Sequence, residues 1–160
     1  MERSYSFAPL IGNSPKILIL GTLPSRESLR LQQYYGNKRN RFWLIISTLL
    51  NEHLPTDYDR KKEMLIRHEI ALWDVAHSAV RPGSLDADIS DIELNPIGEL
   101  ILGNPTIKTI AFNGKAAAKK YKQLCGSEFV GINMITLLST SPANCQYSDK
   151  VMIENWKQIL

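Results

Sequence analysis

A chain of 160 residues that is 44% hydrophobic is long enough to bury one sizeable core, so a single domain over residues 1–160 is expected. Charged residues make up 22% with a net charge of only +3, which excludes a disordered polyelectrolyte and permits, without requiring, a polyanionic partner. No apolar run approaches the roughly 18 residues of a membrane span, and the opening MERSYSFAPLIG lacks the basic-then-apolar pattern of a signal peptide.

The first apolar run, Ile17 to Leu20 in KILILGTLPS, ends in a Gly–Thr–Leu–Pro break. A continuous apolar run closed by turn residues is how a strand buried on both faces reads. YYGNKRNRFW follows, from Tyr34 to Trp43, and sets three cations and two amides among aromatic rings. From Asn40 the apolar positions Phe42, Trp43, Ile46, Leu49 and Leu50 keep helical spacing. Residues 57–69 are charged but carry Met64, Leu65 and Ile66, which suits a second helix. Ile70 to Val80, IALWDVAHSAV, reads as the second strand, and Pro96 to Leu102 as a short helix. Thr106 to Gly114, TIKTIAFNG, reads as the third strand. KAAAKKYKQL is a strong helix former with Ala117, Ala118, Tyr121 and Leu124 on one face. Met134 to Leu138 is the fourth strand. A last helix capped at Ser148 or Asp149 buries Met152, Ile153, Trp156 and Leu160.

Strands that alternate with helices imply an α/β fold with a mainly parallel sheet covered on both faces. Ligands of such sheets sit at the carboxyl ends of the strands. Four segments are expected to meet there: 21–25, 77–88, 113–115 and 139–144. Each has a plain alternative. GTLPS on its own is a strand-to-loop turn, and it is neither a Walker loop nor GxGxxG. STSPAN, Ser139 to Asn144, is either a hydroxyl turn with a helix cap or a place where small residues and free amides let a phosphodiester approach. Asn40 is a helix cap on one reading, with Phe42 and Trp43 in the core and Lys38, Arg39 and Arg41 solvated. On the other, the cations hold phosphates and Tyr34 and Tyr35 stack on unpaired bases. Trp43 falls on the apolar helix face and belongs to the core. Asp74 and His77 invite a catalytic dyad, but no serine or cysteine stands in a recognised elbow, which leaves His77 a structural histidine. The lysines at 119, 120 and 122 read as a solvated helix face, whereas Lys115 opens its helix beside the cleft. Cys125 and Cys145 form no CxxC or Cys/His cluster and read as reduced, partly buried residues.

Taken in order, GTLPS, YYGNKRNRFW, LWDVAHSAVRPGSLDADI, FNGKAA and LLSTSPAN resemble the motifs of the uracil-DNA glycosylase superfamily, and in particular its hypoxanthine-DNA (deoxyinosine) glycosylase branch. The resemblance runs from about residue 7 to the end of the chain. It implies a three-layer α/β/α sandwich around a four-stranded parallel sheet, and a monofunctional glycosylase with no metal and no organic cofactor. It implies damaged DNA, containing deoxyinosine or uracil, as the partner, with no membrane, a monomeric state and a place in the bacterial cytosol or nucleoid. Leu23 stands where the mismatch-specific uracil branch carries an asparagine that handles the attacking water. The hypoxanthine branch lacks that asparagine too, and the resemblance moves its task to Asn40, with Leu23 keeping the pocket apolar. A further departure is Lys38, where relatives commonly have proline. Carried over residue by residue, the expected site has Asn40 as the catalytic group. Gly21, Thr22, Leu23, Tyr34 and Tyr35 form the base pocket. Lys38, Arg39, Arg41, Ser139, Thr140, Ser141, Pro142 and Asn144 grip DNA, and residues 143–147 fill the gap left in the stack. Three other readings stand beside it: a mismatch-specific uracil glycosylase, a lesion-binding module without catalysis, and a small α/β hydrolase using Ser25 or Ser141 with His77.

Overall fold

Four five-residue segments rich in apolar side chains pair side by side to make the central sheet. A computed structural model describes them together with the rest of residues 2–83 and 88–160. In chain order the elements are β1 (Arg3–Tyr5), β2 (Ile17–Gly21), α1 (Arg26–Leu31), α2 (Phe42–Leu49), α3 (Tyr58–Arg67), β3 (Ile70–Asp74), β4 (Ala76–Val80) and β5 (Ser90–Leu94). There follow α4 (Ile97–Gly103), β6 (Thr109–Asn113), α5 (Lys115–Leu124), β7 (Asn133–Leu137), α6 (Asp149–Trp156) and a closing 3-10 turn, Lys157–Ile159. The main sheet is four-stranded, in the order β3-β2-β6-β7, and all its pairs are parallel.

Strand alternation sorts the core into two layers. Ile19, Leu72 and Ala111 face α2, α3 and α6, where Phe42, Ile46, Met64, Leu65, Met152 and Trp156 are buried. Leu18, Leu20, Trp73, Ile110 and Phe112 face the other way, onto Ile97 and Ile101 of α4 and Ala117 and Tyr121 of α5. This is the expected three-layer α/β/α sandwich, with helices on both faces of the parallel sheet.

Several expectations are corrected. The run Ile70 to Val80 is two strands in two sheets. It breaks at Val75, and β4 joins β1 and β5 in a separate three-stranded antiparallel sheet. Asn95 fastens the break, its Nδ2 donating to the carbonyls of Asp74 (2.8 Å) and Ala76 (3.2 Å). A further helix, α1, follows GTLPS, capped by Ser25 Oγ accepting from Ser28 N–H. Both cysteines are exposed, because each lies in an irregular segment after a helix or strand and not on a packed face. At the C-terminus the 3-10 turn rotates Ile159 into the core and leaves Leu160 outside. Residues 84–87, which carry most of the SLDADI motif, lie outside the described residues.

Candidate active site

The carboxyl ends of β2, β3, β6 and β7 open into a cleft of about 600 Å³. Three of the four expected segments line it: Gly21 to Ser25, Asn113 and Lys115, and Ser139 to Asn144. The strand break at Val75 changes the fourth contribution. Asp74, the last residue of β3, faces the cleft, while His77 is exposed on the small sheet with its ring edge-on to Tyr5 at 5.8 Å. Asp74 and His77 therefore form no dyad.

YYGNKRNRFW divides its two tyrosines. Tyr34 is buried: its OH donates to the Ala8 carbonyl (2.9 Å), its carbonyl accepts from Trp43 Nε1 (2.9 Å), and its ring meets Phe7 edge-on. Burial, with the nearby charge of Asp74 second, pushes its phenol far above the ordinary tyrosine range. A ring held this way is a core anchor that also lines the cleft beside Tyr35. Tyr35 takes the left-handed conformation, φ 53°. A non-glycine residue holds that shape only when its neighbours are fixed, and the anchored Tyr34 supplies this. The turn sends the Tyr35 ring onto Phe42, stacked at 4.2 Å, and toward the cleft.

Asn37 to Asn40 form a tight turn, with Asn40 N–H donating to the Asn37 carbonyl (2.9 Å). Asn40 lines the cleft and, one residue ahead of the Arg41 N-cap, satisfies the first N–H of α2, its Oδ1 accepting from Phe42 N–H at 2.9 Å. A backbone N–H needs an acceptor, so this bond also settles which way the amide is turned. Both Nδ2 hydrogens and the second Oδ1 lone pair remain for a group in the cleft. Lys38 and Arg39, on the same turn, are exposed.

Arg41 is turned inward. Its guanidinium donates to the carbonyls of Tyr147 (2.6 Å) and Asn144 (2.9 Å) and pairs with Asp149 (3.2 Å), while its own N–H donates to the Thr140 carbonyl (3.2 Å). It braces the STSPAN loop. Thr140 is buried, held at both ends by the Asn113 amide (2.9 and 3.0 Å). Asn144 donates to the Ser139 carbonyl (2.8 Å). Ser139 Oγ and Ser141 Oγ each accept a backbone N–H, at 3.1 and 3.2 Å. A hydroxyl that accepts in this way keeps its own O–H to donate. Gly114 has φ 103°, and a Cβ there would stand 2.9 Å from Ser139 Cβ, so only glycine allows this approach.

Of the β2 end, Gly21 and Thr22 lie in the cleft, with Thr22 Oγ1 buried and, among the described residues, without a hydrogen-bond partner. Leu23 borders the cleft but packs with Ala76, Ala79 and Ile89 in a separate apolar cluster. Sequence reasoning missed the place of Asp74, which reads as one polar residue inside an apolar strand. The signal available was its position directly before the strand break. Among the described residues no group of acidic, histidine and cysteine side chains is suited to hold a metal ion.

The chain matches the model of the uracil DNA glycosylase superfamily over residues 9–159. It belongs to that superfamily. Within reach of this superfamily member are two hypoxanthine DNA glycosylases. One is from Methanosarcina acetivorans, 38% identical over 143 residues and 89% of each chain. The other is from Methanosarcina barkeri, 36% identical with the same coverage. An NMR solution structure of a Methanosarcina acetivorans protein, described as a candidate uracil DNA glycosylase, shares the superfamily fold. It superposes with a TM-score of 0.82 at 33% identity and covers 99% of both chains. In this superfamily member no helix among the described residues is long and apolar enough to cross a membrane.

Proposed function

We propose that the protein is a monofunctional DNA glycosylase that hydrolyses the N-glycosidic bond of a deaminated nucleotide, with hypoxanthine in deoxyinosine as its first substrate. The observation that carries this reading is the amide of Asn40, fixed by Phe42 N–H at the edge of a nucleoside-sized cleft. The two curated relatives, both hypoxanthine DNA glycosylases, support the choice of base.

The target nucleotide must leave the stack, at a cost of about a few kcal/mol that is lowest for a mispaired base. The exposed Lys38 and Arg39, with the donating hydroxyls of Ser139 and Ser141, hold phosphates beside it. Arg41, Thr140 and Asn144 act one step back, since their internal bonds keep the loop in shape. Pro142 stiffens the same turn. Tyr35, backed by Phe42, offers its ring to the extruded base. Water then attacks C1′, the bond from C1′ to the base nitrogen breaks, its electron pair leaves with the base, and the proton that the water gives up ends on the departed base. The free Oδ1 lone pair of Asn40 orients the water, and Nδ2 donates to the charge that develops. Preorganised dipoles of this kind suffice without a strong general base. No step bonds the protein to the sugar, so the product is an abasic site.

Incubation with duplexes carrying inosine, uracil or xanthine, then alkaline cleavage at abasic sites, tests the reading. Hypoxanthine release is expected to be fastest. Binding without cleavage overturns it in favour of a lesion-binding module, and faster release of uracil than hypoxanthine overturns the choice of base.

A further inference from the structure

The stretch AVRPG, after the strand break, carries an arginine that the excision steps leave unused. Arg81 directly follows β4 and is 6% exposed. A guanidinium keeps its charge at any working pH, so a buried one needs acceptors around it. Three backbone carbonyls meet it, one at each nitrogen. Nε donates to Gly83 (2.7 Å), Nη1 to Leu23 (3.5 Å) and Nη2 to Pro24. Gly83 lies just beyond β4, whereas Leu23 and Pro24 line the cleft. Arg26, the first residue of α1, makes the reverse connection and donates to the Pro82 carbonyl. Two arginines, one from each segment, thus tie 23–26 to 81–83.

The apolar contacts run the same way. Leu23 packs with Ala76 and Ala79 of β4 and with Ile89. Ala76 N–H donates to the Thr22 carbonyl (3.0 Å). One wall of the cleft is therefore mounted on the small antiparallel sheet as well as on β2. The mount also reaches the tyrosine turn. Ser25 Oγ accepts from Ser28 N–H (3.2 Å), and Ser28 Oγ accepts from Gly36 N–H (2.9 Å), the residue after Tyr35.

We propose that Arg81, with Arg26, is a positioning residue for base excision: the pair fixes where the wall at 23–25 and the Tyr35 turn stand, and acts on the substrate only through them. The inference rests on the glycosylase reading and deepens it, because it gives the small sheet a task in the reaction. Donors spread around one plane reach three carbonyls in different directions. A lysine ammonium keeps the charge and loses that fork. A wall displaced by about 1 Å leaves the nucleotide bound and the reacting atoms out of line, which costs up to about 100-fold in rate.

Single-turnover excision from a deoxyinosine duplex, with protein in saturating excess, separates the rate constant from the amplitude and from affinity. Arg81→Lys is expected to lower the rate constant of hypoxanthine release roughly 10- to 100-fold. Its affinity for a duplex carrying the uncleavable 2′-fluoro analogue of deoxyinosine is expected to stay at the wild-type value. Arg26→Ala changes an exposed position and spares the fold. It is expected to lower the rate constant roughly two- to tenfold, the worth of one hydrogen bond. The double variant falls by less than the product of the two effects, because both arginines hold one junction. A merely structural arginine would lower the amplitude, since fewer molecules fold, and leave the rate constant of the folded ones alone. A wild-type rate constant in Arg81→Lys, or in Arg26→Ala where Arg81→Lys fails to fold, overturns the inference alone. A loss confined to amplitude or to duplex affinity overturns it equally. A wild-type protein that releases no base overturns the glycosylase reading, and the inference with it.

Discussion

Asn40 carries two loads in this structure, and two substitutions separate them. Its Oδ1 accepts from the first N–H of α2, on Phe42, at 2.9 Å, and among the described residues its Nδ2 has no hydrogen-bond acceptor. Asn40→Ala removes both. Loss of a side-chain cap costs about 1 kcal/mol, which for a domain of this length lowers the melting temperature by about 3 °C. Loss of a preorganised transition-state donor costs about 100- to 1000-fold in rate. Asn40→Asp keeps a cap, because aspartate caps as well as asparagine, but it has no amide to donate. The expected pattern is a melting temperature near wild type for Asn40→Asp, a drop for Asn40→Ala, and excision lost in both with duplex binding nearly intact in the alanine variant. Single-turnover excision of hypoxanthine and thermal melting on the same preparations measure the two effects. Wild-type excision by Asn40→Asp would refute the donor role, and wild-type excision by Asn40→Ala would refute the catalytic assignment altogether.

Replacing Lys38 and Arg39 together by alanine is expected to weaken binding to all duplexes and to flatten the plot of log K against log salt by about 2, near 0.9 per phosphate contact; an unchanged slope would mean that these side chains touch no phosphate. Arg41→Ala should leave that slope alone and cost about 2–3 kcal/mol of stability, because two carbonyls and Asp149 lose a charged partner; thermal melting and amide exchange over residues 139–149 report it, and a reduced salt slope would contradict the internal role. The His68 hydrogen bond, aided by Arg67, holds the partly exposed Glu52 carboxyl below the ordinary carboxylate range. Its contribution is therefore present above the unfolded-state pKa and is lost as pH falls through the lower folded-state value. Melting of wild type and Glu52→Gln across acid pH should converge at the acid end and separate toward neutrality, and a constant difference would remove the linkage.

The main sheet is legible because its signal is local. Ile17–Gly21 and Thr109–Asn113 are short apolar runs ended by turn residues, and such runs are buried on both faces wherever they sit. The small sheet is not legible, since RSY and SDIEL carry little apolar surface and become strands only by pairing with β4. The same limit divides the candidate site. Asn40, Gly21 and the STSPAN turn stand out because their residue types are unusual directly after a strand or before a helix. The task of Arg41 depends on carbonyls 103 and 106 positions away, and the inward turn of Tyr34 on the carbonyl of Ala8, so no window of sequence holds either answer.

By itself, then, the sequence determined the α/β order, the end of the sheet where the cleft opens, and the motif set of the superfamily, because each is written in short-range pattern. Only the tertiary structure decided which cations reach solvent, how differently the two cleft-lining tyrosines are held, and that Asp74 lines the cleft. Those outcomes depend on hydrogen bonds and burial between segments that meet only when the two sheets are in place.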